Sequence, residues 1–268
     1  MPCAPAKGAC AALLAPDCLR ICAALQFRSN TFVASMRLVL MLSVVLLALT
    51  PARADDANTL TVDGTVYRLD GIDAPELDQY CVDNGGPYPC GLFAFEALQE
   101  LIGHRRVICR DLGPDPEFPP RRIGNCAVAG VELQHWLVRQ GWAVNVDALG
   151  RFADDEREAR ERPRSIWRGC FVAPQDFRQG RKLGATLLGA SCPPDARAKL
   201  FADYSLKPPG CEIKGKYVFR AQLTGHRGVY HVPGCGSYRR TANPHRWFCS
   251  EWDAEAAGFR PSLTCWLH

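Results

Sequence analysis

The stretch TLTVDGTVYRLDGIDAPE, residues 59–76, decides how the rest of the chain is read. Two β-favouring runs, Thr59–Val62 and Thr65–Leu69, flank Asp63-Gly64, a dipeptide suited to the left-handed turn of a two-residue hairpin. Alternation then sorts the second run: Leu69 and Ile72 belong in a core, so Arg68 faces the other way. Pro75 fixes the turn that follows, which carries Asp73 and Glu76 beside that same face. Carboxylates placed there can hold a hard cation through oxygen, and a guanidinium alongside can fork onto a phosphate. A strand-end salt bridge with an Asp-capped turn uses the same residues and is the commoner meaning of any single cluster of this kind.

Working outward, GLFAFEALQELI (residues 91–102) spaces Leu92, Phe95, Leu98 and Ile102 as one helix face, with Gly103 as its stop. RVICR (106–110) and IGNCAVAGV (123–131) read as strands, joined by the proline-rich loop GPDPEFPPR (113–121). VELQHWLVRQG (131–141) reads as a second helix, and the charged segment 153–162 as a third that ends at Pro163. Short strands in a hairpin-and-meander order with helices inserted predict a mainly β, α+β fold: a five-stranded OB-type barrel. The barrel domain is expected over residues 55–180. Pro193-Pro194 and Pro208-Pro209 mark a linker or irregular arm over 181–209, and residues 210–268 form a basic, cysteine-rich module.

The chain of 268 residues is 47% hydrophobic and 22% charged, which excludes collagen-like, coiled-coil and disordered classes. Residues 55–209 carry 19 bases and 23 acids, whereas 210–268 carry 8 bases and 4 acids, so bulk charge does not by itself argue for nucleic acid. The apolar run LVLMLSVVLLAL (38–49), preceded by Met36-Arg37 and followed by Ala52-Arg53-Ala54, reads as a signal peptide cleaved after Ala54. The true start is then Met36, and the mature protein is periplasmic or secreted. An uncleaved anchor is the other reading of that run. Ten cysteines follow it, and an oxidising compartment favours disulfides, with Cys81 to Cys90 and Cys109 to Cys126 as the two pairings that neighbours suggest.

Three pieces, TLTVDGTVYRLDGIDAPE, RRIGNCAVAGVELQHWLVRQGWA and SIWRGCFVAPQDFR, occur in an order that resembles the staphylococcal nuclease (thermonuclease) family over most of residues 56–178. The resemblance implies an OB-type barrel that cleaves the phosphodiester backbone of DNA or RNA with Ca²⁺. It places the two catalytic arginines on Arg68 and Arg121, with Arg122 one position away, and the glutamate that activates or positions water on Glu76. Calcium ligands fall on Asp73, on the carbonyl of Ala74 and on Asn58. That last position is a departure, because the family's aspartate is here an amide, which removes one carboxylate and weakens calcium binding. VNVDALGRF (144–152) and the proline-rich loop before Arg121 also depart from the family's pattern. A barrel that binds nucleic acid and has lost cleavage through Asn58 is the competing expectation.

In the last segment, IKG, YHVPG and RWFCSE…AAGFRP resemble a small module at the C-terminus of some exported bacterial nuclease-family proteins. His231 and Cys235 have a zinc-ligand spacing, but no C-x-x-C pair accompanies them, so two disulfides are favoured over zinc. Arg239, Arg240 and Arg246, interleaved with Tyr238 and Trp247, are candidates for a nucleic-acid surface; a solvated basic face is the plainer alternative. His104 and His135 stand alone and read as surface or capping residues.

Overall fold

The hairpin forms as its dipeptide implies. In the computed structural model, which describes residues 52–265, strands β2 (Thr59–Val62) and β3 (Thr65–Leu69) pair antiparallel in the register Thr59 to Arg68 and Val62 to Thr65. Asp63 and Gly64 take φ of 48° and 80°, the left-handed pair that this turn needs and that aspartate and glycine tolerate. Met36 and the apolar run 38–49 lie outside the described residues. The last residues before the expected cleavage point form a strand, β1 (Arg53–Ala54), paired to β2 with Ala54 buried, so a cut after Ala54 would remove one sheet edge.

After β3 come β4 (Ile72–Asp73), β5 (Cys81–Asp83), β6 (Gly86–Tyr88) and helix α1 (Cys90–Ile102), then β7 (Val107–Pro114), β8 (Arg122–Val128) and β9 (Val131–Glu132). Helix α2 (Leu133–Arg139), β10 (Val144–Asn145), α3 (Ala153–Glu161), β11 (Phe171–Val172) and α4 (Pro174–Arg178) complete this part. The large sheet runs β1-β2-β3-β8-β7, with β9 on β8 and the β3/β8 pair parallel, while β4 pairs separately with β10. The class is α+β, as the alternation of strand and helix signals implies. The large sheet is an open path that ends at β1 and β7.

Helix α1 buries Phe93, Ala94, Ala97, Leu98 and Ile102, a stripe rotated from the expected one because Leu92 and Phe95 lie at its margin. The reason is the C-terminal module, whose Tyr217 and Phe219 meet Phe93 edge-on at 6.1 and 5.9 Å. That module is a four-stranded sheet in the order β15-β13-β14-β16, built from β13 (Ile213–Tyr217), β14 (Gly228–His231), β15 (Arg246–Phe248) and β16 (Phe259–Pro261). Tyr217 Oη donates to the Pro87 carbonyl at 2.6 Å, Arg220 pairs with Glu100, and Arg227 pairs with Asp83. Residues 181–209 include β12 (Leu187–Leu188), paired to β11, and helix α5 (Ala196–Leu200). With Val82, Cys170 and Val172, the arm's Ala185, Ala196 and Leu200 close a second small core.

All ten cysteines after residue 55 are paired: Cys81–Cys90, Cys109–Cys126, Cys170–Cys192, Cys211–Cys249 and Cys235–Cys265. Both expected bridges are present, and five disulfides fit an oxidising compartment. Cys235 is therefore not available to a metal, and His231 Nδ1 lies 2.6 Å from the Ser237 hydroxyl. No helix among the described residues is long and apolar enough to cross a membrane.

Candidate active site

The expected residues fall into two groups, each in contact with the β2/β3 hairpin or the residue before it. In the first, Arg68 leaves β3 opposite buried Leu69, and its Nη1 donates to Glu117 at 2.9 Å. Arg121 Nε donates at 2.7 Å to Asp115, a residue with no exposed surface. Asp115 organises the proline-rich loop: its carboxylate accepts the Glu117 N–H at 2.9 Å, and its own N–H reaches the Arg121 carbonyl at 2.8 Å. Burial works to raise the Asp115 carboxyl, but the Glu117 N–H and the charges of Arg121 and Arg68 outweigh it and hold the carboxyl below its ordinary range. Arg122, the neighbouring candidate, instead makes a two-pronged pair with Asp111 at 2.8 Å. It is Arg121 that shares a carboxylate neighbourhood with Arg68.

The second group centres on Asp73, buried where β4 pairs with β10. Its carboxylate accepts Asn58 Nδ2 at 3.2 Å and three hydrogen bonds from Arg178, the shortest 2.9 Å. The same guanidinium donates to Glu76 at 2.5 Å. Burial is the largest influence on the Glu76 carboxyl and raises it above the ordinary value, Arg178 lowers it, and Asp56 and Asp73 add to the rise. Ala74 is buried beside Asp73. The two groups meet through the hairpin, where Asn58 accepts the Leu69 N–H at 2.8 Å and Thr59 stands across from Arg68.

Local packing fixes Glu76 tightly. Gln79, fully buried, donates through Nε2 to the Val172 carbonyl at 2.7 Å and accepts the Glu76 N–H at 3.2 Å, tying the turn to the strand that leads into α4 and Arg178. The first turn of α1 runs directly over this loop. A Cβ on Gly91 would lie 1.6 Å from the Glu76 carbonyl oxygen, so only glycine fits.

The arrangement does not fit a calcium ion. Calcium takes six to eight oxygen ligands, yet both Asp73 oxygens and one Glu76 oxygen face a guanidinium, and Asn58 turns its amide nitrogen to Asp73. Among the described residues, no group of three or more His, Cys, Asp or Glu side chains is placed to hold a metal.

Arg178, Gln79 and Asp115 hold the expected residues in place, and the sequence did not single them out. Arg178 closes the quoted piece SIWRGCFVAPQDFR, but it lies 105 positions from Asp73 and no local pattern ties the two.

In the module, Arg239 and Arg240 are exposed and Arg246 is half-buried over Phe248, 5.0 Å from the ring centre. Lys214 Nζ donates to the carbonyls of Tyr238 and Thr241, and Lys216 Nζ to that of Asn243. His135 holds Asp155 at 2.5 Å on the outer face of α2, a structural contact.

The chain matches no family model. It is similar to the succinoglycan biosynthesis protein ExoI of Rhizobium meliloti (strain 1021), with 32% identity over 118 residues. The similar region makes up 42% of this chain and 61% of that relative, so the chain spans under two thirds of the relative's length.

Proposed function

We propose that the protein is a periplasmic or secreted phosphodiesterase that hydrolyses DNA or RNA on an OB-type barrel. The observations that carry this reading are the shared carboxylate neighbourhood of Arg68 and Arg121 in the proline-rich loop and a half-buried Glu76 held by Arg178. Glu117 is largely exposed, and an exposed ion pair contributes only about 0–1 kcal/mol, so a phosphate can displace it from Arg68 cheaply. Asp115 stays in place and keeps Arg121 aimed. Two guanidiniums then offer parallel N–H donors to the non-bridging oxygens, where negative charge accumulates during attack. Glu76, with its carboxyl raised by burial, is suited to take the proton of the attacking water if that water lies within hydrogen-bonding reach. Arg178 holds the Glu76 carboxylate in one orientation.

A second reading is a nucleic-acid-binding module without turnover. It is favoured by the neutralisation of every arginine in the cluster by a carboxylate of the same chain. The printed name of the relative ties ExoI to succinoglycan biosynthesis; for this chain a part in exopolysaccharide production is a proposal resting on that name alone.

The test is incubation of the oxidised exported protein with single-stranded DNA and RNA, in millimolar calcium and in chelator, beside Glu76→Ala. Cleavage lost in the variant supports the first reading. Binding without cleavage by folded protein under either condition moves the assignment to the second.

A further inference from the structure

Arg178 occupies the position from which a cation would neutralise the Asp73 and Glu76 carboxylates. Its two terminal nitrogens make four hydrogen bonds to them, at 2.5 to 3.3 Å. This is not a wandering surface side chain. Helix α4 begins at Pro174 and is anchored at Asp176, whose carboxylate accepts the Thr186 N–H at 2.7 Å and pairs with Arg181. Phe177, the preceding residue, stacks on Phe201 with rings 8° from parallel. Gln79 ties the strand before α4 to the Glu76 turn. The guanidinium is therefore delivered to the carboxylates by the fold, and it carries its charge at every pH the protein meets.

We infer that Arg178 is the resident cation of the Asp73–Glu76 pair, holding Glu76 in place and keeping divalent ions out. A calcium ion entering here has to displace a permanent charge that already satisfies both Asp73 oxygens, and it gains only the neutral amide of Asn58 in return. The inference rests on the site assigned above but does not require that the site cleave anything.

The experiment is calorimetric titration of the oxidised exported chain with calcium chloride, with no nucleic acid present. Wild type should show no saturable binding in the low millimolar range, whereas Arg178→Gln should bind with a Kd of about 10⁻³ to 10⁻⁴ M, the range of weak extracellular sites. Adding Asp73→Asn to Arg178→Gln should abolish that binding. Calcium uptake by wild type that Asp73→Asn removes would overturn the inference, as would a folded Arg178→Gln that still binds none. Removing Arg178 leaves Asp73 buried without its partner, and the remaining case is an Arg178→Gln that does not fold. In that event Asn58→Asp carries the test, since it adds a carboxylate and leaves Arg178 in place. Its failure to bind calcium supports Arg178 as the barrier, and uptake overturns it. None of these outcomes depends on cleavage, so a failed phosphodiesterase assay and a failed titration are separable results.

Discussion

The knot of Asp73, Glu76 and Arg178 and the basic face of the C-terminal module are made from similar side chains, and they differ in what holds them. In the knot, Arg178 makes three hydrogen bonds to Asp73 and one to Glu76, and the backbone beneath is stapled by Gln79 and crowded by Gly91. In the module, Lys214 and Lys216 point at loop carbonyls of the module itself, while Arg239 and Arg240 extend into solvent. The first region holds its charges at a fixed point; the second uses its lysines to fasten loops. A count of basic residues per segment points to the module, whereas the fixed ion pairs lie beside the N-terminal sheet.

The sharpest way to break this contrast is substitution in the N-terminal region. Arg68→Ala or Glu76→Ala should lower cleavage at least about 100-fold, the usual cost of losing one transition-state donor or base. Thermal unfolding should show the fold kept, because neither side chain is in the core. Loss of the Cys211–Cys249 bridge, 38 residues apart, should destabilise the module by about 4 kcal/mol if loop entropy dominates. Double Cys→Ser variants followed by denaturant unfolding measure this. Cleavage should persist wherever the N-terminal region remains folded, and its parallel loss would erase the distinction between the regions.

Gly91→Ala is a subtler probe, since the new methyl collides with the Glu76 carbonyl. A cost of about 1–3 kcal/mol is expected, together with a drop in turnover larger than the change in substrate affinity. Acid should act on the module through His245. Burial holds this imidazole down at about 4, and its Nδ1 accepts the Tyr217 N–H at 3.1 Å. Because the folded state binds the proton less readily than the unfolded one, stability is full above about pH 6.5 and falls as pH drops toward 4. The loss is on the order of 2 kcal/mol after allowance for the partly exposed ring. His245→Gln should flatten that part of the pH profile. The smallest expected effect is that of Arg239→Ala with Arg240→Ala, less than about threefold in nucleic-acid affinity, as suits cations with no fixed partner.

What was legible in the sequence was local. The Asp63-Gly64 turn, the two helices that end in glycine and the Cys81–Cys90 bridge all rest on neighbours within a few residues. So does the opposition of Arg68 to Leu69. The α1 stripe read one step out of phase because part of what covers it comes from Tyr217 and Phe219, more than a hundred residues away. Arg178 was hidden for the same reason: it meets Asp73 only after β11, Gln79 and the 76–79 turn have been assembled. The amide at Asn58 was visible as a departure, but its partner was not, so a missing carboxylate could be read without the guanidinium that accompanies it.

The central proposal is that nucleic acid is held by Arg68 and Arg121 beside the N-terminal sheet and not by the module. Fluorescence anisotropy of a labelled single-stranded oligonucleotide, measured at one fixed salt concentration, compares Arg68→Ala with Arg121→Ala against Arg239→Ala with Arg240→Ala. The account predicts that the first pair weakens binding at least about tenfold, as loss of two charge-assisted phosphate contacts implies, and that the second leaves it nearly unchanged. Loss of binding in the second pair with the first unaffected would contradict it.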